Sequence, residues 1–481
     1  MNRSLKIFIF IFIFQNISFG NERTSARGIG MARTFVVTSR GVDALGINPA
    51  NLSYLDRGSY TTMSLLPIGV RAGSDFINFK VYNDYFTGDP DSLDKDGNRI
   101  IGRRLDANDK DGIFNLFPSG IAHTQSDFDA MLLGFTSIGG NYAIGFSVTE
   151  RFSAGLDLPE GYLKILLNGF EEKGSEHTLN NTNYGVRWMR EYNYSFAYHF
   201  AKNVSLWKFR DISVGISYKP VQGFYYAGTD HYNGSLQNKI YYNKDSVNWI
   251  DSIQIIGNID YAQFQSSIPI DSISQFLFKP AGKGTGFDIG VSAKIISGWQ
   301  FGMSITDIGS ILWSKSPKYS YGKGNFTISD LGKAGQLDSL KNNFKGKTID
   351  TTSFKRNLPT IIHLGAAIQL DESPYVNRKT FAGKLLLEGN IHIGLNDEPG
   401  NTTLPRFSVG AEYVIPSRWV DWLRIRSGMM FGGRELFSWS LGIGIVNPVF
   451  DFDIGTESIA LIITPNSFRN GSVSMGLKIR M

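Results

Sequence analysis

The chain has no cysteine among its 481 residues. That excludes a disulfide framework, a thiolate-bound zinc or iron–sulfur site, a thiol nucleophile and a cysteine-borne lipid anchor. Histidine is scarce, with six residues, and leaves little for metal ligation or acid–base work. Charge of one sign is also missing. The 48 Lys and Arg exceed the 43 Asp and Glu by only five and are dispersed, so no nucleic-acid partner is expected. Beyond the N-terminus there is no run of 18 consecutive apolar residues, so no helical membrane span is expected. What the chain has in quantity is glycine (53) and aromatic residues (35 Phe, 21 Tyr, 8 Trp), too many aromatics for a disordered polymer.

Residues 1–20 have the layout of a secretory signal peptide. Arg3 and Lys6 form a positive start, Ile7 to Phe14 are apolar, and Ser18-Phe19-Gly20 offers small residues for cleavage. The apolar run stops at Gln15-Asn16, short of the roughly 20 residues a membrane anchor needs.

The rest is dominated by alternation with period two, the mark of strands with two unlike faces. Phe437, Trp439, Leu441, Ile443 and Ile445 interleave with Ser438, Ser440, Gly442 and Gly444. Val473, Met475, Leu477 and Ile479 interleave with Ser474, Gly476, Lys478 and Arg480. A secreted sandwich alternates too. Here, however, the apolar parity is bulky and aromatic, the other parity is Gly, Ser and charge, and the strands are long. Tilted strands of about 9–11 residues suit a bilayer, with apolar side chains facing lipid and polar ones facing a lumen. The expected fold class is therefore all-β: a transmembrane antiparallel β-barrel of about 14 strands with an N-terminal plug and long extracellular loops.

The expected strands are 58–69, 127–138, 141–152, 190–201, 211–224, 285–296, 299–307, 358–370, 382–395, 405–415, 422–431, 437–446, 450–464 and 471–481. With both termini on the periplasmic side, the long excursions 70–126, 153–189, 225–284 and 308–357 all fall outside, as outer-membrane barrels require. The segment 250–264 alternates weakly and is a candidate extra hairpin. Trp419 and Trp422 flank a short turn, where an interfacial aromatic belt would sit.

Residues 21–57 do not alternate. Gly28-Ile29-Gly30-Met31-Ala32-Arg33 leads through Asp43-Ala44-Leu45 to Asn48-Pro49-Ala50-Asn51-Leu52. This stretch resembles the N-terminus of the long-chain fatty-acid transporter (FadL-like) superfamily of outer-membrane proteins. Asp288-Ile289-Gly290 and Asp307-Ile308-Gly309 with Trp313 resemble its less-studied Bacteroidota-type branch. Ala32-Arg33 stands where that family usually has a Gly pair, and Asn51 where it has Gly. The resemblance implies a fourteen-stranded barrel in a Gram-negative-type outer membrane, plugged by the N-terminal segment. It also implies passive binding and uptake of hydrophobic compounds such as fatty acids, with outer-membrane lipid and a hydrophobic small molecule as partners. Some barrels of the superfamily instead carry secreted proteins at the cell surface in the type IX pathway, so a scaffold binding a surface or periplasmic protein is the alternative. From the residues alone, Asn48-Pro49 starts a turn, since proline fixes φ and pushes its predecessor out of the helical region.

Chemistry is thin. Gly-x-Ser at Ser147, Ser217, Ser292 and Ser304 begins a nucleophile motif but lacks the second Gly, which reads as lumen-facing polar positions. Asp91, Asp94, Asp96 and Asp106, Asp109, Asp111 imitate calcium loops. A twelfth-position Glu is missing in both, where Arg103 and Pro118 stand. No enzyme activity, metal or cofactor is expected. One amphipathic helix is expected near 159–172, opened by Pro159 and closed by Gly174, with Leu163, Leu166, Leu167 and Phe170 on one face. That face either caps the barrel mouth or forms an outer groove for a hydrophobic ligand. Parity places His363, Glu388, Asn390, His392, Glu412, Arg424, Arg426, Asp451 and Asp453 in the lumen, paired among themselves and with the plug.

Overall fold

The protein is described from a computed structural model. It covers all residues except 1–24, 88–104, 118–119, 170–175, 201–208, 243–249, 269–278, 296–297, 329–345, 374–381, 418, 436 and 464–468.

Long alternating segments leave a row of backbone donors and acceptors on each edge, and in lipid the only remedy for a sheet is to close on itself. Fourteen antiparallel strands do so. They are β1 (Thr61–Ser74), β2 (Ile121–Gly139), β3 (Tyr142–Pro159), β4 (Asn183–His199), β5 (Phe209–Tyr242), β6 (Gly282–Ile295), β7 (Trp299–Trp313), β8 (Ile361–Gln369), β9 (Lys384–Gly394), β10 (Arg406–Val414), β11 (Leu423–Gly432), β12 (Phe437–Val446), β13 (Phe450–Thr456) and β14 (Asn470–Arg480). Each pairs with the next in sequence, and β14 returns to β1 with Met63 opposite Ile479. The ring has no free edge.

All fourteen expected strands are present, with three corrections. The strand expected over 450–464 stops at Thr456, and a short helix follows at Ala460–Ile463. The excursion expected over 225–284 is largely strand. The second half of β5 runs on past the ring and pairs with Ile250–Ser267. That strand pairs with Lys318–Ile328, which pairs in turn with Lys347–Asp350. The helix expected over 159–172 spans only Gly161–Asn168. Pro159 ends β3 instead of opening the helix, and Gly169, at φ 64°, closes it a few residues before Gly174.

The outside of the ring is apolar: Phe196, Ile216, Ile289, Met303, Val409, Trp439, Ile454 and Val473 are all exposed. The inside is the reverse, since Ser147, Ser217, Ser292, Ser304, Glu388 and Arg426 are buried. An apolar belt around the whole ring far exceeds the few hundred Å² patches of soluble monomers and fits lipid contact. Among the described residues no helix is long and apolar enough to cross a membrane.

Candidate functional site

The lumen is filled by residues 25–57. Gly30, Met31, Ala44 and Leu52 are buried there, as are Asn48 and Asn51. The glycine parity of the strands explains the fit. A Cβ on Gly442 would lie 2.8 Å from the Cα of Gly30, and one on Gly428 would lie 2.6 Å from the carbonyl of Met31. Backbone therefore lies on backbone, which no other residue permits.

Asn48-Pro49-Ala50 acts as a clasp. Asn48 caps a 3-10 turn over Pro49–Ser53, with its side-chain oxygen accepting from the Ala50 amide at 3.2 Å. Its Nδ2 donates to the Val36 carbonyl and to Ser292 Oγ, both at 3.1 Å. Asn51 donates to the same carbonyl and to Ser39 Oγ, each at 2.8 Å. Ser304 donates to the Ile47 carbonyl at 2.6 Å. The four serines of the incomplete nucleophile motifs are thus interior, and two of them hold the inner segment.

Ion pairs finish the attachment. Arg27 meets Glu412, which also meets Arg426 at 2.7 Å. Arg33 pairs with Glu457, and Glu457 with Arg71 at 3.1 Å. Lys478 reaches Asp43 and Asp56 of the inner segment, each at 2.7 Å, and Asp451 of β13 at 3.5 Å. Val37 N and Thr38 Oγ1 both donate to Glu388. Of the lumenal residues placed by parity, eight are buried and Arg424 is half-buried. His363 and His392 face each other with Nδ1 atoms 2.8 Å apart. The two Asp-Ile-Gly motifs converge: Asp288 and Asp307 each lie 2.6 Å from Lys219 Nζ, and Arg151 joins Asp307 at 2.8 Å.

The wall is interrupted beside β1. Between Ser64↔Gly134 and Ile68↔Ala130 the β1–β2 ladder is interrupted. Leu66 there has φ 47°, and Pro67 has no amide to donate. Across from it, β2 slips against β3 between Met131 and Leu133. Leu65, Leu66, Leu132 and Leu133 are exposed on the outer side. On the inner side lies a small cavity of about 50 Å³ whose lining includes Val42, Leu45, Pro67, Met131, Lys478 and Asp43. Sequence reasoning missed this break, although a proline inside an alternating strand is its signal.

At the loop end, Leu163 and Leu167 pack with Ile113, Phe117 and Phe114, while Leu166 is 75% exposed. Phe170 lies outside the described residues. Asp106 and Asp109 are spent in a capping box that opens the helix Ala107–Phe114, and Asp91, Asp94 and Asp96 lie outside the described residues. Among the described residues no group of three or more His, Asp and Glu is placed to hold a metal ion. Trp419 is 88% exposed beside a short turn, and its carbonyl accepts from Trp422 Nε1 at 2.9 Å.

No curated protein matches the chain. Among solved structures it is similar to the Ralstonia pickettii toluene transporter TbuX, at 11% identity over 97% of this chain and 100% of that one, with a TM-score of 0.43. It is similar to a Pseudomonas aeruginosa FadL homologue, at 11% identity over 96% and 99%, with a TM-score of 0.44. It is also similar to the Pseudomonas putida toluene transporter TodX, at 10% identity over 96% and 98%, with a TM-score of 0.41. A family model matches residues 66–413, most of the ring, and on that match the chain belongs to DUF5723, a family of unknown function.

Proposed function

We propose that this barrel sits in a Gram-negative-type outer membrane, reached by way of the signal peptide, and binds hydrophobic compounds that it passes between its lumen and the membrane without an energy source. The observation that carries the reading is the break between β1 and β2, rimmed by four leucines towards lipid and backed by the small cavity behind it. A closed wall would offer an apolar ligand no way out except through a lumen lined with charge. A lateral gap spares it that desolvation mismatch.

Residues 21–57 act as a plug in this reading. The clasp of Asn48, Pro49 and Ala50 and the close seating of Gly30 on Gly442 fix its position, and the loop helix with Leu163, Leu166 and Leu167 is the capture point at the mouth. Fatty acids are the ligand the resemblance favours. No catalytic step is involved.

The test exploits the absence of cysteine. Leu66→Cys with Leu132→Cys, oxidised in proteoliposomes, closes the gap, and transfer of oleate should fall at least tenfold and return on reduction. Leu166→Asp should weaken oleate capture in the unlinked barrel. Unchanged transfer through the cross-linked wall refutes the lateral route.

One observation favours a second reading, a surface scaffold for exported protein. The sheet formed by the end of β5 with 250–267, 318–328 and 347–350 continues for about 40 Å past the ring, at roughly 3.3 Å per residue. Co-purification discriminates: bound lipid supports transport, a stoichiometric protein the scaffold.

A further inference from the structure

The outer wall changes chemistry along β6. Phe287, Ile289 and Val291 face outward and are exposed, as a lipid-facing wall requires. The next two outward positions towards the loop end are Thr285 and Lys283, also exposed. Lys283 stands opposite Leu312 of β7, and Leu312 opposite Lys355 of the short strand Phe354–Asn357. The three side chains thus form one row across neighbouring strands. The alternation fixes their direction: Trp313 and Phe354 are buried, whereas Leu312 is 50% exposed and Lys355 is exposed.

The row lies where hydrocarbon ends. Lys283 is twelve residues from the end of β6 at Ile295. At roughly 3.3 Å per residue and a tilt of roughly 40°, that is about 30 Å of height, the thickness of a bilayer core. The same row continues through Gln222 to Arg190, whose guanidinium is already held by Glu150. Among the described residues neither Lys283 nor Lys355 has such a carboxylate. Elsewhere the rim differs: Leu395, just past β9, and Phe437, at the loop end of β12, are the exposed residues there. The two uncommitted cations are therefore local to one side of the ring.

Two strands apart, the lysines are separated by about 10 Å, and their long stems carry the ammonium groups up towards water. An apolar side chain stands between them and an apolar wall lies beneath. A ligand that carries phosphate directly above acyl chains matches that order. Each ammonium is a compact point charge that meets a phosphate from any direction. A soluble anion would leave Leu312 and the wall unused, and an uncharged lipid would leave both ammonium groups unmatched. We infer that the Lys283–Leu312–Lys355 row is a docking site for an anionic, phosphorylated lipid headgroup of the outer leaflet. The inference rests on the membrane placement proposed above but not on the lateral route, which lies five strands away round the ring.

The experiment titrates the full chain in detergent with diphosphoryl lipid A, with zwitterionic phosphatidylcholine and with inorganic phosphate, and counts bound lipid by native mass spectrometry. The expected result is lipid A binding that weakens at least fivefold in Lys283→Gln/Lys355→Gln and survives in Lys283→Arg/Lys355→Arg. Phosphatidylcholine binding should be the same in all of them. Lys347→Gln, an exposed lysine on the sheet beyond the ring, should leave lipid A binding within twofold. A loss below fivefold in the glutamine pair, an equal loss in Lys347→Gln, or no lipid A binding at all overturns the site. Displacement of lipid A by millimolar phosphate also overturns it, because the occupant is then a free anion. The Leu66/Leu132 cross-link leaves these titrations unchanged, and failure of the membrane placement shows separately, as a folded chain that stays in solution without detergent.

Discussion

Lys478 is the point at which the inner segment and the closing strand of the ring are tied, and replacing it by methionine isolates that tie. Methionine keeps most of the volume but removes the ammonium that serves Asp43, Asp56 and Asp451 at 2.7, 2.7 and 3.5 Å. Asp451 keeps Arg480 at 2.9 Å and Arg57 at 3.3 Å, so the loss falls on the two carboxylates of the inner segment. Removing one partner of a buried pair costs about 3–5 kcal/mol, and the surviving arginines put this case near 3. At a tenfold change per 1.4 kcal/mol, local release of the inner segment should become on the order of 100-fold more frequent.

The readout is maleimide labelling of Val42→Cys, a position only 1% exposed in an otherwise cysteine-free chain. Its labelling rate in folded protein should rise by about two orders of magnitude in the Lys478→Met background. Adding Asp43→Asn should recover part of the loss, because one stranded charge disappears. Labelling within threefold of the parent, in a barrel that is still heat-modifiable, would refute the view that this cluster holds the segment in place.

Two further outcomes follow from backbone geometry. Ala32 adopts φ 55°, a left-handed conformation that suits glycine, so Ala32→Gly should raise the urea midpoint, by about 1 kcal/mol in stability. Gly442→Val inserts a side chain where Gly30 leaves 2.8 Å, and should destabilise the seated segment by about 1–3 kcal/mol, seen as faster labelling at Val42→Cys with the ring intact.

The ring was legible in the sequence because its determinant is local. Period-two alternation states which side chains face lipid, and closure then follows from the edge problem alone. The lumenal position of Glu388, Arg426 and Asp453 was read from parity in the same way. The partners were not legible: nothing near Lys478 announces Asp43, which lies 435 residues away. The loop helix shows the limit of periodicity. Leu163 and Leu167 are apolar at helical spacing, but Pro159 continues β3 opposite its partner Ile121 in β2, a pairing between strand ends that no local pattern reports. The left-handed pair Ala32-Arg33 has a trace in the resemblance, since it occupies positions where glycine is usual and φ above zero explains why.

The inner segment touches the far end of the chain almost everywhere it makes charged contacts: Arg27 with Glu412, Arg33 with Glu457, Asp43 with Lys478, at separations of 385, 424 and 435 residues. The first part of this stretch to be made must therefore wait for the last before it has anything to bind. Until then three arginines, two aspartates and a Gly-rich backbone travel without partners, and the final strands arrive with the complementary set. The segment is then less a stopper pushed into a finished tube than the mandrel on which the tube is wound. Non-local closure of this kind is slow and leaves interior surface open for long periods, so assembly, more than final stability, is the stage at which this protein is most exposed to damage by mutation.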